Sequence, residues 1–501
     1  MVRTANRIQE DYGRSFDLAV SLGDNTDNAQ ANEMAIFIDI LDGGGLTGAI
    51  PGWTRVDSGD LSVDDETGLN RGERDIGIQQ FDADNNITNP FFRPEEPDSN
   101  ADMRTSGLMT PSGGAVPWFT VVGNHDALNT GNFDPQSGLT FFSPDDYTGP
   151  YSAFGFIPGI ATLVEYWRAN PDQPLRLDGG IFGVDMDWRT VLSLLDGAGY
   201  IPADMSVDRD DRFDLDELLA GTPGVGADDG VTVAADEGRA FIGRGGMIEL
   251  VHDTGHGFQD NNDDGEVDAL DGGWFRRDWV DLVPGDDRPI RYLNLDSTQV
   301  STLAEGGIGD DQFAWLQAEL DAAVDDEVLV IVVSHHSPGS IVTGSAELVA
   351  MLNACPNVIL HLVGHGHRNA ITPRPAPDAD PLFGYWEVQT PSSIDFPQQS
   401  RIVEIVDNRD GTGTVFVTLF DHWRLDAGDE GRLSDLGREL ALDDAAKLGY
   451  SGAGPLGGTG AAGDRNRMLV FEIPGGVADK LADIPSDGVI TSRDVLGHAG
   501  G

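Results

Sequence analysis

Four short apolar runs punctuate the chain, and each stops at a cluster of polar residues. Residues 16–22 (FDLAVSL) run into GDNTDN, 118–122 (WFTVV) into GNHD, 328–333 (VLVIVV) into SHHSP, and 358–363 (VILHLV) into GHGHRN. Runs this short, apolar at nearly every position and bounded by Gly and polar residues, predict strands buried on both faces. Between them the period lengthens. Residues 310–324 place Phe313, Leu316, Leu320 and Val324 on one stripe, predicting a helix whose start Asp310 can cap. Residues 346–354 predict a second helix, stopped by Pro356. Further strands are expected at 290–295, 385–388, 402–406 and 414–419. Buried strands alternating with helices imply an α/β fold with a sheet covered on both faces.

Two long stretches break this rhythm. Residues 31–115 are rich in Gly, Asp, Pro and Asn; residues 127–285 carry helical pieces such as 188–195 between acidic, Gly-rich loops. Both read as insertions into one domain spanning 1–425. Residues 426–501 read as a C-terminal extension, with the low-complexity stretch at 451–463 (SGAGPLGGTGAAG) expected to be a flexible loop.

Composition narrows the partners. The 501 residues carry 31 Lys and Arg against 85 Asp and Glu, a formal net charge of −54. Nucleic acid and anionic membrane surfaces both call for a basic face, so neither is expected as a partner. The only lysines are Lys447 and Lys480, a balance that suits a salt-adapted or extracellular protein and equally a GC-rich genome. One cysteine, Cys355, excludes an intrachain disulfide and a cysteine-built metal site. No apolar run reaches the roughly 18 residues that span a bilayer, and residues 1–20 lack the apolar stretch of a signal peptide.

The polar clusters all fall where a strand ends, the position at which sites assemble in open α/β sheets. They hold Asp24, Asp27, Asn124, His125, Asp126, His335, His336, His365 and His367, which takes in five of the ten histidines. Imidazole, carboxylate and amide oxygen together suit a first-row divalent ion better than calcium or magnesium. Glycines beside these residues, Gly23, Gly123, Gly364 and Gly366, permit tight turns and close approach.

GDxxDN, GNHD, a strand-terminal His and GHxH, in that order, resemble the calcineurin-like metallophosphoesterase superfamily. LNLDS (293–297), GGIGDDQFAWLQAEL (306–320) and DFPQQSR (395–401) add to the likeness, which covers roughly residues 7–425. The resemblance implies a four-layer αββα sandwich with the two insertions. It also implies a metal-dependent phosphoric ester hydrolase with two divalent ions (Mn, Fe or Zn) and a small phosphorylated substrate, a mono- or diester. Asp24 would bridge the ions, about 3.5 Å apart in two-metal sites. Asn124, His335 and His365 would complete one ion, and His367 would serve the other. His125 would be the general acid, oriented by Asp27, and a metal-bound hydroxide would attack phosphorus.

One motif of the family is missing: an Asp-x-His ahead of the GDxxD strand, which supplies two ligands to the ion that His367 serves. RIQE (7–10) already resembles a segment beyond it. The expectation is a shortened start, a signal peptide lost with it, and a chain holding one ion well and the second poorly. Location outside the cytoplasm, or in the cytoplasm of a salt-adapted organism, follows from the same reading. The alternative is a degenerate binding or structural protein of the same fold without a full dinuclear site.

Other polar groups are weighed on their own. His336 reads as substrate-facing or supporting a ligand, His361 as a core histidine, and His252 and His256 as loop residues. His422 and His498 read as surface or tail residues. Asp126 either orients a neighbour or satisfies turn amides. Asp260, Asn262, Asp264, Glu266, Asp268 and Asp271 stand at positions 1, 3, 5, 7, 9 and 12 of a loop with Gly265 at position 6. That is the spacing of an EF-hand-like calcium loop, with Asp where position 12 normally carries Glu. A similar stretch at 483–494 lacks an acidic third position.

Overall fold

The computed structural model describes residues 1–42, 107–128, 131–132, 240–262, 264–376, 383–421, 438, 441 and 457–484. The chain divides into two compact units. The first comprises Met1–Thr47, Ser99–Phe133 and Ile242–Gly501; the second, Gly48–Asp98 with Asp134–Phe241, falls almost wholly outside the described residues. The helical piece expected at 188–195, His422, His498 and most of 483–494 also lie outside them.

The first unit is mixed α/β around a six-stranded sheet of order β3-β4-β6-β8-β10-β9. Its strands are β3 (Phe275–Asp278), β4 (Ile290–Asn294), β6 (Leu329–Ser334), β8 (Val358–Val363), β9 (Ala370–Pro375) and β10 (Gly384–Gln389). The inner four run parallel, and β3 and β9 close the edges antiparallel. Every residue of β4, β6 and β8 is buried, which is why these segments read as unbroken apolar runs instead of alternating ones.

Two further strands, β1 (Ala19–Ser21) and β2 (Trp118–Thr120), pair in parallel. They are shorter than the apolar runs that announce them. A third sheet has the order β11-β12-β13, from β11 (Gln399–Asp407), β12 (Thr412–Asp421) and β13 (Arg467–Glu472), all antiparallel. The small pair β5 (Gly306–Gly307) and β7 (Ile341–Thr343) is parallel.

Side chains on the two faces of the large sheet feed two separate cores. On one face Leu293, Val330, Val332 and Val358 meet Phe313, Leu316 and Leu320 of helix Asp310–Asp325 and Leu348 and Leu352 of helix Ser345–Ala354. On the other, Tyr292, Ile331, Val333 and Ile359 join one core with Trp118 and Phe119 of β2, Val415 and Val417 of β12, and Leu469 and Phe471 of β13. Met34 and Ile38 of helix Ala31–Asp42 and Met247, Ile248 and Val251 of helix Gly243–Asp253 belong to that same core. No helix among the described residues is long and apolar enough to cross a membrane.

Two local expectations fail in the helix at 310–325. Val324 is 44% exposed, and Ala323 takes the buried position in its place. The helix turns through 3.6 residues, and by its fourth turn the stripe has drifted one position toward the N-terminus. Asp310 is the first helical residue, the N-cap is Gly309, and no side chain caps it. Asp310 and Asp311 still place negative charge on the first turn, where the helix dipole favours it.

Leu316→Ala, fully buried, is expected to cost about 3 kcal/mol, whereas Val324→Ala should stay within about 0.5 kcal/mol. Denaturant unfolding of both variants checks this, and equal costs would contradict the stripe as drawn.

Candidate metal centre

The turns after β1, β2, β6 and β8 meet at one end of their sheets. Gly23 (φ +87) and Gly123 make the approach possible. A Cβ at Gly23 would lie 2.7 Å from the Gly123 nitrogen, and one at Gly123 would lie 2.2 Å from the Asp24 nitrogen. Three of the residues carried by these turns adopt left-handed backbone: Asp24 at φ 54, His365 at φ 59 and His367 at φ 46. Such conformations cost roughly 1 kcal/mol or more each and persist where surrounding structure enforces them, commonly at functional sites.

Four acceptor-bearing groups converge. His335 Nε2 lies 3.1 Å from Asp24 Oδ2, 3.0 Å from Asn124 Oδ1 and 3.2 Å from His365 Nδ1. Asn124 Oδ1 is 3.1 Å from His365 Nδ1. The orientations are fixed from outside the cluster. His335 Nδ1–H donates to the Leu22 carbonyl (2.6 Å), which leaves Nε2 facing inward. The Asn124 amide nitrogen donates to the Gly131 carbonyl (3.0 Å), which turns its oxygen toward the two imidazoles. Asp24 Oδ1 accepts the His125 backbone N–H at 2.9 Å.

Lone pairs gathered this way need a positive charge among them. The protonation pattern without an ion reflects that need. Burial alone would raise the Asp24 pKa, but the neighbouring His335 and His125 imidazoles hold it well below the usual carboxylate range. Burial works against a charged His335, yet Asp24, the Leu22 carbonyl and Asp126 together outweigh it and move that pKa up. Burial and the charge on His335 push His365 down to about 3. Carboxylate, amide oxygen and two imidazoles together match a first-row divalent ion.

His336 falls in the same cluster, its ligand atom within 4.8 Å of those of His335 and His365. Its nitrogens are already engaged. Nε2–H donates to the Ala304 carbonyl (3.0 Å), and Nδ1 accepts from Ser297 Oγ (2.9 Å). Burial, with the charge on His335, drives its pKa down to about 2. A neutral ring with both nitrogens hydrogen-bonded has no free lone pair facing the cluster in this arrangement. His361 is buried in β8, and its Nε2–H donates to Ser334 Oγ (2.8 Å), which donates in turn to the His336 carbonyl (2.8 Å).

His125 stands at the rim, its side chain 28% exposed, with Nδ1–H donating to the Asp27 carbonyl (3.0 Å) and the Asp27 carboxylate 3.4 Å away. Burial disfavours its charge, but Asp27 and Asp24 push its pKa up to about 9. Asp126 lies below. Its carboxylate accepts from the backbone nitrogens of Gly123, Asn25 and Thr26 and from the Asn25 and Thr26 side chains. It pins the turn after β1 to the turn after β2.

His367 makes its contact elsewhere: Nδ1 lies 2.6 Å from Asp395 Oδ2. No hydrogen bond or ion pair joins it to Asp24 among the described residues. Asp395 lies in the DFPQQSR run, but nothing in a single carboxylate marks its partner 28 positions earlier in the chain. Ser297, Ala304, Leu22 and Gly131 were equally invisible, because three of the four act through backbone carbonyls.

The acidic loop at 260–271 folds on its own amides. Asp260 accepts from Asp264 N and Gly265 N, Asn262 from Asp264 N, Asp264 from Glu266 N, and Asp268 from Leu270 N. Asp271 accepts from Asn261 N, Asn262 N and Asp268 N, and Gly265 has φ +91. No contact among the described residues joins this loop to the histidine cluster. His252 caps its own turn against the Phe258 carbonyl. His256 is more than a loop residue: it stacks on Trp118 at 3.7 Å between ring centroids and bonds Asp42 through Nε2.

No family model matches the chain, and no curated protein matches it. Among solved structures it is similar to a dimetal phosphatase from Danio rerio, at 13% identity and a TM-score of 0.22. That alignment covers 29% of this chain and 57% of the other, just over half its length. A likeness so loose carries neither fold nor activity across; the weight falls on the side chains themselves.

A bound cation competes with the proton on His335, whose pKa is raised in the folded chain. Protonation therefore wins as pH falls. Mn²⁺ affinity is expected to tighten as pH rises, with protons released on binding. Calorimetry in buffers of different ionisation enthalpy reads the release directly, and binding with none at any pH would exclude His335 from the ligand set.

Proposed function

We propose that the chain is a metal-dependent phosphoesterase of the calcineurin-like type, hydrolysing a phosphomonoester or phosphodiester. The observation that carries this reading is the convergence of Asp24, Asn124, His335 and His365 with their acceptor atoms turned inward. These four would hold one ion. A second would draw on His367 and share Asp24. Such ions lower the pKa of bound water and neutralise charge on phosphoryl oxygens.

The chain's own residues supply the rest. His125, held at Nδ1 by Asp27, would give a proton to the leaving oxygen from its other nitrogen. Asp126 fixes the two turns on which Asp24 and His125 sit. Cations at the centre also let so acidic a chain accept an anionic substrate. The fold that accompanies this reading is the four-layer sandwich. In it the sheets of β1–β2 and β11–β13 face the six-stranded sheet across the larger core, with helices outside.

A second reading, a chain of this fold that binds an ion without turnover, is favoured by one observation: among the described residues no hydrogen bond or ion pair joins His367 to Asp24, Asn124, His335 or His365. Assays of an aryl phosphate and a bis-aryl phosphate with added Mn²⁺ or Zn²⁺ separate the two. His125→Ala is expected to lower turnover by roughly 10²–10⁴ with metal content unchanged. Asp24→Ala and His365→Ala should instead deplete the metal. Metal retained in both of these variants would count against the centre, and metal bound without hydrolysis of either ester would leave the binding protein.

A further inference from the structure

The C-terminal stretch lies beyond the residues that carry the family likeness, yet part of it packs directly against the turn that carries His367. Residues 457–464 form two 3₁₀ turns, Gly457–Thr459 and Ala462–Asp464, where the composition suggested a flexible loop. Gly458 sits between two strands of backbone. A Cβ there would lie 2.5 Å from the Phe396 carbonyl and 3.0 Å from the His367 carbonyl. These are the backbones on either side of the His367–Asp395 pair. The Gly458 carbonyl accepts the Asn369 N–H at 2.9 Å, and a Cβ at Gly460 would lie 2.4 Å from the Asn369 carbonyl.

Arg401, half-buried on β11, rivets this contact. Its Nη2 donates to Asn369 Oδ1 (2.7 Å) and to the Asp464 carbonyl (2.6 Å), and its Nη1 donates to the Arg465 carbonyl (3.1 Å). Asp464 Oδ1 in turn accepts the Ile371 N–H at 3.1 Å. One guanidinium and one carboxylate thus tie the 457–465 segment to residues 369–371, immediately beyond His367.

We propose that segment 457–465, with Arg401, is a positioning device for His367: it fixes the spacing between the His367 and Asp395 backbones. The carboxylate then holds the imidazole by Nδ1 and leaves Nε2 for a cation. A carboxylate on the far nitrogen is the usual way a ligating histidine is oriented, and disturbing such a partner typically weakens metal affinity 10- to 100-fold. The segment thus lies against the left-handed backbone of His367, whose φ is 46°. The inference rests on the phosphoesterase reading only in taking His367 as a ligand.

The test is Mn²⁺ titration of the full chain by calorimetry, with bound metal counted and thermal melts recorded. His367→Ala identifies the binding step that uses His367, and His335→Ala identifies the step at the other donor set. Gly458→Ala is expected to weaken the first step about tenfold or more and leave the second as it is. Arg401→Lys keeps the charge but not the planar fork, so it should repeat the effect, and it carries the test should Gly458→Ala not fold. Gly475→Ala, where a Cβ meets nothing within 4 Å, should change neither step. If both steps weaken together with the melting temperature, the segment acts on stability alone and the proposal is wrong. If His367→Ala removes a step that Gly458→Ala and Arg401→Lys leave intact, the proposal falls and the ligand reading stands. If His367→Ala changes nothing, both fall.

Discussion

Four groups of acceptor character face one another at about 3 Å, and that arrangement is tolerable only with positive charge in the middle. Asp24, Asn124 and His335 are fixed by bonds made outward, to the His125 amide and the Gly131 and Leu22 carbonyls, which leaves their remaining polar atoms facing one another and His365. A proton on His335 is the minimal solution, and a divalent cation is the one the donor set fits. Much of the surrounding structure reads as the means of holding these groups in place. Asp126 locks the first two turns together, the His361–Ser334 chain braces the third, and left-handed backbone at Asp24 and His365 aims the side chains.

The centre separates ligands from supports by hydrogen-bond accounting more than by distance. His336 is as near to His365 as His335 is, yet it is neutral and doubly bonded through Ser297 and Ala304. The same accounting sets His367 apart: its Nδ1 is taken by Asp395, and the backbones of that pair lie against Gly458.

The strand-ending clusters were legible because chemistry and position coincide in them: small glycines, imidazoles and carboxylates directly after residues that must be buried. The core strands were legible for a related reason, since only a sheet covered on both faces makes an unbroken run such as VLVIVV tolerable. Helix phase was less so. Val324 and Ala323 are adjacent and both apolar, and packing alone chose which one turned inward.

The sequence by itself determined which residue types stand at the ends of β1, β2, β6 and β8, and with them the kind of ion the centre suits, because donor chemistry is a property of each side chain. Only the tertiary structure decided which of those residues meet. It paired His367 with Asp395, engaged both nitrogens of His336, spent Asp126 on amides, and brought a glycine turn from near residue 458 against His367. Such partnerships run through backbone carbonyls and amides that every residue carries alike, so their selection is made by the path of the chain in space and leaves no mark on the order of side chains.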